Sequence, residues 1–505
     1  MKTLYTLFLF SLFLSTNSFA QKAVKRPNIV IVLVDDMGVM DTSVALMKDE
    51  KGQPQRHPHN DFFVTPNMER LAQQGKAFSD FYAMSVCSPS RTSLLTGQNS
   101  ARHHTTQWIN PYGNNRGKFG PKGWNWTGIS AEDKTIVTEL KKAGYYTIHA
   151  GKAHFGPKGY LAEKPDQIGF DVNIGGSAIG QPGSYYGKNN YGKGGYHPVP
   201  GLEQYHGTDT FLTEATTLEM KKEITKSVQD GKPFFAYMSH YALHAPFHMD
   251  KRFENLYSEK CKKLGYKGSE KAFGTLVTGM DKSLGDLMDH LEKLKVAENT
   301  LIIFLGDNGT DFRVKADKRG VGPAAPLRSF KGSKYEGGMR VPAIFAWGKN
   351  NKNNKFQRRS PIKAGLITDR FRNICDIFPT VLNIAGLSKK DLTLDGISLR
   401  KLLANKAKKA VEDDFLMHFP HQHRSSYYTI YRHGDWKLIY NYHAPKTTQV
   451  ELYNLKEDLS EQNNLAQQQP KRVKEMMKKM NMKLAEQKAQ FPLSKENKEE
   501  LKPKL

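Results

Sequence analysis

Two pairs of oxygen-bearing side chains follow short apolar runs in this chain. Asp35-Asp36 comes directly after Asn28 to Val34, and Asp307-Asn308 comes after Thr300 to Leu305 and Gly306. Three carboxylates and an amide oxygen suit a hard divalent cation, Ca2+ or Mg2+, and the residue types alone favour neither. Between the pairs lies Cys87-Ser88-Pro89-Ser90-Arg91. Pro89 opens a helical stretch that Gly97 stops, so Cys87 is expected just before a helix start. Free backbone N–H groups and the positive helix end favour an anion there. Arg91 falls in the first turn and could reach back towards Cys87. Taken by itself, a cysteine in that place reads as a buried thiol.

These residues need a scaffold, and the chain supplies one. Asn28 to Val34, Phe234 to Met238 and Thr300 to Leu305 are short apolar runs of the kind that form buried central strands. Leu276, Met280, Leu284, Leu287, Leu291 and Leu294 recur at helical spacing before the last of these. Thr65-Pro66 is expected to cap and open a helix that Gly75 ends. Strands alternating with helices predict an α/β fold, a large mostly parallel sheet sandwiched by helices. In such sheets ligands bind at the carboxyl ends of strands, where both acidic pairs fall. After about residue 400 the pattern changes. Ser426 to Arg432, Trp436 to Asn441 and Val450 to Leu455 predict short antiparallel strands, with Gly434-Asp435 as a hairpin turn. Val473, Met476, Met480 and Leu484 mark one amphipathic helix whose methionines read as core packing. The expected organisation is a signal at 1–20, a catalytic domain over 21–405, a smaller C-terminal α+β domain over 406–490 built on a short antiparallel sheet, and a loose charged tail at 491–505. There is no internal repeat. Residues 99–130 and 155–208, rich in Gly, Asn, Tyr and Trp, predict long binding loops.

Cys-x-Pro-x-Arg is what formylglycine-forming enzymes read, and with it the chain resembles the type I sulfatases of the alkaline phosphatase superfamily. Gly151-Lys152-Ala153-His154-Phe155-Gly156 is similar to that family's Gly-Lys-Trp-His-x-Gly element, with Ala153 in place of tryptophan. His244-Ala245-Pro246 and the run from Lys331 to Pro342 resemble two further elements. The resemblance covers about residues 27–345, with weaker similarity to about 465. It implies that Cys87 is oxidised to 3-oxoalanine (formylglycine) by a formylglycine-generating maturase. It also implies that Asp35, Asp36, Asp307 and Asn308, with the modified Cys87, hold Ca2+. One hydroxyl of the aldehyde hydrate would attack sulfur, and deprotonation of the other would expel sulfate, so no second displacement at sulfur is needed. Arg91, Lys152 and Lys331 would neutralise charge. His154 would assist breakdown of the hydrate, and His244 or Lys331 would protonate the leaving oxygen.

The expected reaction is therefore hydrolysis of sulfate esters. The formal net charge of +25 favours polyanionic partners, sulfated polysaccharide among them. Trp108, Trp124, Trp126, Tyr185 and Tyr186 could stack on sugars. Arg102, His103 and His104 could border the leaving-group pocket, and His418, His421, His423 and Arg424 could reach it from the C-terminal part. Lys2, the apolar run Leu4 to Leu14 and Ser18-Phe19-Ala20 predict cleavage near Ala20 and export to the periplasm or medium, without a stable membrane anchor. Three cysteines make no disulfide scaffold, although Cys261 and Cys375 could pair. Rival readings are a phosphonate or phosphodiester hydrolase of the same superfamily and a non-catalytic polysaccharide-binding protein. A nucleic-acid binder is disfavoured, since no recognition motif occurs.

Overall fold

The computed structural model describes residues 26–312, 316–407 and 414–504; the expected signal at 1–20 lies outside them. Eight strands form the main sheet: β1 (Asn28–Val34), β2 (Lys76–Phe78), β3 (Tyr146–Gly151), β4 (Val172–Ile174), β5 (Phe234–His240), β6 (Thr300–Gly306), β7 (Ala343–Trp347) and β8 (Leu366–Thr368). Their spatial order is β8-β2-β7-β6-β1-β5-β3-β4. Only β7 runs antiparallel to its neighbours, so the sheet is mostly parallel.

β1 is buried along its whole length because it packs on both faces. Ile29, Ile31 and Leu33 enter one apolar layer, and Val30, Val32 and Val34 enter the opposite one. This is the two-residue alternation of a strand read against two covering layers. On one side lie helices α1 (Pro66–Gln74), α3 (Leu212–Gln229) and α4 (Gly268–Lys293), which contribute Met68, Met220 and Met280. On the other lie α2 (Cys87–Thr96) and α5 (Ile377–Ala385), with Leu94, Leu95 and Val381. Thr65 does precede α1, but its side chain does not cap it. The Thr65 hydroxyl is taken by Thr42 and Ser43. The free N–H groups of Asn67 and Met68 donate instead to Asp281 on α4, at 3.0 and 2.8 Å. A tertiary carboxylate thus does what a local cap was expected to do.

The C-terminal sheet has one strand more than the sequence pattern showed: β9 (Asp414–Phe419), β10 (Tyr428–His433), β11 (Trp436–Asn441) and β12 (Val450–Asn454), all antiparallel. Phe415, Met417, Tyr428 and Ile430 join the core of the large sheet's α2 side. Leu416, Tyr431, Leu438 and Leu452 face away and pack on Met476, Met477 and Met480 of α6 (Pro470–Glu486). The expected loose tail is ordered and packed. Phe491 and Leu493 are buried, Leu493 N donates to Phe119 O, and Leu501 N donates to Pro492 O. Apolar residues flanking the charged ones anchor it. All three cysteines are free thiols, so Cys261 and Cys375 do not pair. Among the described residues no helix is long and apolar enough to cross a membrane.

Candidate active site

Four adjacent parallel strands, β6-β1-β5-β3, end at one level. Val34 is in register with Gly306 and His240, and Gly151 with Ser239. The residues that follow are therefore delivered side by side, with strand spacings of about 4.8 Å. Backbone pairing continues past the strand ends into them: Asp307 N donates to Val34 O, Asp35 N to Ala242 O and Lys152 N to Ser239 O. Asp36 and His154 both take left-handed backbone conformations, at φ 58° and 55°. Neither is glycine, so each stores strain that the surroundings must hold. For Asp36 part of that hold is its N–H, which donates to Asp307 Oδ1 at 3.0 Å.

The charges here are interlocked and fully buried. Lys152 Nζ donates to Asp35 Oδ2 at 2.6 Å, and Lys331 Nζ lies 2.6 Å from Asp36 Oδ1. Asn308 Nδ2 donates to Asp36 Oδ1 at 2.9 Å. Arg91 does not turn back to Cys87 as expected. Its Nε and Nη2 lie 2.9 and 2.8 Å from Asp307 Oδ2, while Nη1 donates to Lys152 O and Ser239 Oγ. A guanidinium rooted in α2 thus fixes Asp307. Three oxygens remain buried without a hydrogen-bond donor: Asp35 Oδ1, Asp36 Oδ2 and Asn308 Oδ1. Donor atoms of Asp35, Asp36 and His244 all lie within 4.8 Å of one another. Burial raises the Asp35 carboxyl well above the usual carboxylate range; Lys152 opposes this, while Asp307 and Asp36 reinforce it. Burial also acts against Asp36 as a carboxylate, but Lys331, with Lys152 beyond it, outweighs it and holds that group low. Buried oxygens with lone pairs converging, and one carboxyl short of positive charge, fit a hard divalent cation.

Cys87 is the first residue of α2, inside the helix rather than before it. Gly97 ends that helix at φ 67°, and a side chain there would strike Leu394 and Phe378. His154 Nδ1 lies 3.4 Å from Cys87 Sγ and from Ser88 Oγ. Its Nε2 lies 2.6 Å from Ile109 O. A carbonyl can only accept, so Nε2 carries the proton and Nδ1 presents a lone pair to position 87. Burial, reinforced by Lys152, keeps this imidazole neutral. His244 is neutral for the same leading reason, with Lys331 adding to it. Its Nδ1 pairs with Ala245 O, and its Nε2 faces Asp36 Oδ2 at 3.7 Å. Lys331 is held as an ammonium: burial opposes the charge, but Asp36 and its neighbours outweigh it.

Above these groups opens a cavity of about 360 Å3, lined by Cys87, His154, His244 and Lys331 at its base. Its walls come from the predicted insertion loops, through Trp108, Asn110, Gln181, Tyr196 and His197, and from the C-terminal part, through His423 and Arg424. Arg424 Nη1 reaches Asp311 Oδ1 at 2.6 Å and Lys331 O at 2.9 Å, which ties the two parts together at the pocket. Of the five candidate stacking aromatics only Trp108 lines it. Trp124 packs on His421, Trp126 on Tyr160 and Tyr186 on His248, while Tyr185 is buried with its hydroxyl on Tyr241 O.

Arg102, His103 and His104 do not reach the cavity. Arg102 pairs with Asp395 and Glu486, His103 with Ser93 Oγ, and His104 Nε2 with Lys488 O. Closeness to α2 in sequence placed them at its far end instead. His418 and His421 are buried braces, bonded to Thr429 and to Thr106 respectively. The sequence reading missed Asn110, Gln181, Tyr196, His197 and Asp311. Their only advance signal was the Gly- and Tyr-rich composition of two loops, with Asp311 lying four residues beyond Asp307.

A family model described as Sulfatase matches residues 27–387, and one described as N-sulphoglucosamine sulphohydrolase, C-terminal, matches residues 331–490. A protein named Sulfatase from Formosa agariphila is 28% identical over 547 residues, a match covering 94% of this chain and 91% of that one. The N-acetylgalactosamine-6-sulfatase of Sus scrofa is 30% identical over 393 residues, covering 75% of this chain and 66% of the pig enzyme. The crystal structure of Ps i-CgsB superposes with a TM-score of 0.69 at 23% identity, covering 91% of this chain and 93% of that one; this likeness speaks for the fold.

Proposed function

The chain belongs to the sulfatase family and is a sulfuric ester hydrolase, and from that premise we propose that it desulfates a sulfated carbohydrate outside the cytoplasm, using Cys87 matured to formylglycine and a bound Ca2+. The observation that carries the reading is the convergence of three unpartnered buried oxygens with a neutral histidine lone pair aimed at position 87. The carbohydrate substrate is supported by what the pig relative's name says it acts on and by a pocket wall of aromatic and polar side chains.

Asp35, Asp36, Asp307 and Asn308 would hold the cation, which when bound supplies charge neutralisation and polarises a sulfate oxygen. The matured side chain supplies a geminal diol, one hydroxyl to attack sulfur and a second whose deprotonation releases sulfate. The remaining work falls to side chains already in place. With Asp35, Asp36 and Asp307 all ionised, as a bound cation would hold them, the side chains at the base of the site sum to zero against Arg91, Lys152 and Lys331. A divalent ion makes it positive, which is what an anionic ester requires. His154 Nδ1 accepts a proton from the hydroxyl at position 87. As the S–O bond to the sugar breaks, the leaving oxygen takes a proton from Lys331, the group held charged in the resting site. His244 has an unprotonated Nε2 and so no proton to give from that atom in the resting site. Cys87 is only 3% exposed, so the maturase would have to act on the chain before this region closes.

Purified protein from a maturing host should carry the aldehyde at position 87 by peptide mass spectrometry. Cys87→Ser and Cys87→Ala should both abolish multiple turnover. Steady-state hydrolysis at wild-type rates by either variant would refute the role. Specificity constants on matched aryl sulfate and aryl phosphate esters separate this reading from a phosphonate or phosphodiester hydrolase. A chain that binds sulfated oligosaccharide but never turns it over would be the binding protein instead.

A further inference from the structure

The net charge of +25 is not explained by the reaction cavity, where lysines and Arg91 already face carboxylates. The surplus is uneven along the chain. Residues 349–368 contain six lysines and arginines and no acid, and residues 396–407 contain Arg400, Lys401 and Lys406 and no acid. The fold brings these stretches to the walls of one hollow of about 880 Å3. Arg358 and Arg359 enter from the first stretch, Arg400, Lys401 and Lys406 from the second, and Lys389 from the loop between. No carboxylate lines it among the described residues.

The hollow is distant from the reaction cavity. β7 runs antiparallel to β6, so Trp347 sits beside Leu301 at the opposite end of the sheet from Asp307. Trp347 Nε1 donates to Ser360 O, the residue after Arg359. At about 3.3 Å per residue, that is a strand's length, roughly 15–20 Å, from the catalytic level. The site has an ordered element. Arg400 Nε and Nη2 donate to Arg359 O at 3.1 and 2.6 Å, and Nη1 to Asn383 Oδ1 at 3.4 Å. These acceptors are uncharged, so its positive charge stays uncompensated. The neighbouring Lys76, whose Nζ donates to Leu402 O, has its basicity pushed down to about 8, by burial and then by Lys363. Lys363, the lesser of the two causes, adds one more cation beside the hollow's floor.

We infer that this basic hollow is a second binding site for the sulfate groups of a polysaccharide chain, holding the enzyme on its polymeric substrate while the distant cavity acts on it. The inference rests on the proposed substrate class. Closely set cations without acids repel one another, and a polyanion relieves that repulsion and releases counterions. The lining includes no aromatic side chain, so bases would find nothing to stack on, which disfavours single-stranded nucleic acid. Tethering a polymer at one point raises the effective concentration of its other sulfates at the cavity.

The test uses the matured, calcium-loaded full chain with dextran sulfate, unsulfated dextran and duplex DNA as probes. The variant R358S/K389S/K401S/K406S is compared with K471S/K474S/K478S/K504S, which removes as many charges from the lysine-lined groove beside α6. The first should weaken dextran sulfate binding by about ten-fold or more and flatten its salt dependence. It should raise KM on a sulfated polymer while leaving hydrolysis of a small aryl sulfate within about two-fold. The α6 variant should lose much less. Equal losses in both variants, or retained binding in the first, would overturn the site. So would duplex DNA binding as tightly as dextran sulfate with the same losses. Should the quadruple variant fail to fold, the double variant R358S/K406S must show a proportionate loss or the inference fails. Absence of aryl sulfate turnover in the wild type would instead sink the proposed function, whatever the binding result.

Discussion

At the ends of the central strands Asp35, Asp36 and Asp307 face Arg91, Lys152 and Lys331. Between the large sheet and the C-terminal sheet, Asp80, Glu336 and Glu461 face Arg340, Arg432 and Lys437. Both clusters are buried, and both hold three charges of each sign. They differ in what the oxygens meet. In the second cluster Glu336 receives Lys437, Nε and Nη2 of Arg340 and the Tyr82 hydroxyl. Asp80 receives two nitrogens of Arg432, whose guanidinium also stacks on Phe371 at 4.2 Å. Burial works against Glu336 as an anion, yet Lys437 and Arg340 more than offset it and hold the carboxyl low. In that cluster only Glu461 Oε1 lacks a hydrogen bond, and Lys437 Nζ lies 2.7 Å from it; the cluster joins the two sheets. The first leaves three oxygens without a hydrogen-bond donor, and the nitrogens facing two of them stand off at 3.7 and 3.8 Å. Equal charge counts can thus serve opposite ends: a closed network resists solvent and fixes a fold, and an incomplete one attracts a cation.

The comparison can be broken by neutralising one oxygen in each cluster. Asp36→Asn should lower kcat/KM by about 10^3 or more, since it removes both a proposed cation ligand and the counter-charge of Lys331. Its thermal stability should change little. Glu336→Gln should do the reverse. It should destabilise the chain by about 3–5 kcal/mol, because Lys437 and Arg340 lose a carboxylate partner in a dry site. The folded fraction should keep a near wild-type specificity constant. If Asp36→Asn unfolds the protein, or Glu336→Gln kills turnover without loss of stability, the division between the clusters is wrong.

A pH experiment sharpens it. Burial raises Glu461 from its ordinary 4.5 to about 7, Lys437 opposing the shift and Glu336 adding to it. The folded chain then holds a proton that the unfolded chain has released. Stability from this group is full below about 4.5 and is lost as pH rises through about 7, an effect of up to about 3 kcal/mol. Glu461→Gln should flatten that slope in denaturant titrations across the window. An unchanged slope would place its origin elsewhere. Smallest of all, Arg102→Ala should cost about 1 kcal/mol or less, as expected for a partly exposed pair with Asp395, and leave KM unchanged. Arg424→Ala, on the cavity wall, should raise KM for a sulfated sugar. Equal effects of the two arginines on KM would restore the sequence-based placement of Arg102.

The elements that position the chemistry were legible because their sequence patterns are strong and local. Asn28 to Val34 could only be a strand covered on both faces, and the acids that follow could only sit at its carboxyl end. The nucleophile helix, its glycine stop and the C-terminal hairpin were equally local signals. Strand β9 was not seen, because Asp414 to Phe419 has no turn signal joining it to its partner. The packed tail was obscured by its lysines and glutamates.

Local order along the chain thus determined which residues are delivered to the ends of the central strands and to the start of α2, since a strand's side-chain direction and a helix's first turn follow from neighbouring residue types. What only the tertiary structure decided is which charges face which. Arg91 turns to Asp307 across 216 residues, Arg424 to Asp311 across 113, and Arg102 to Asp395 across 293. A long cation has many partners within reach of its flexible stem. The choice among them is fixed by packing, burial and the position of the second sheet, none of which has a short-range signature in the sequence.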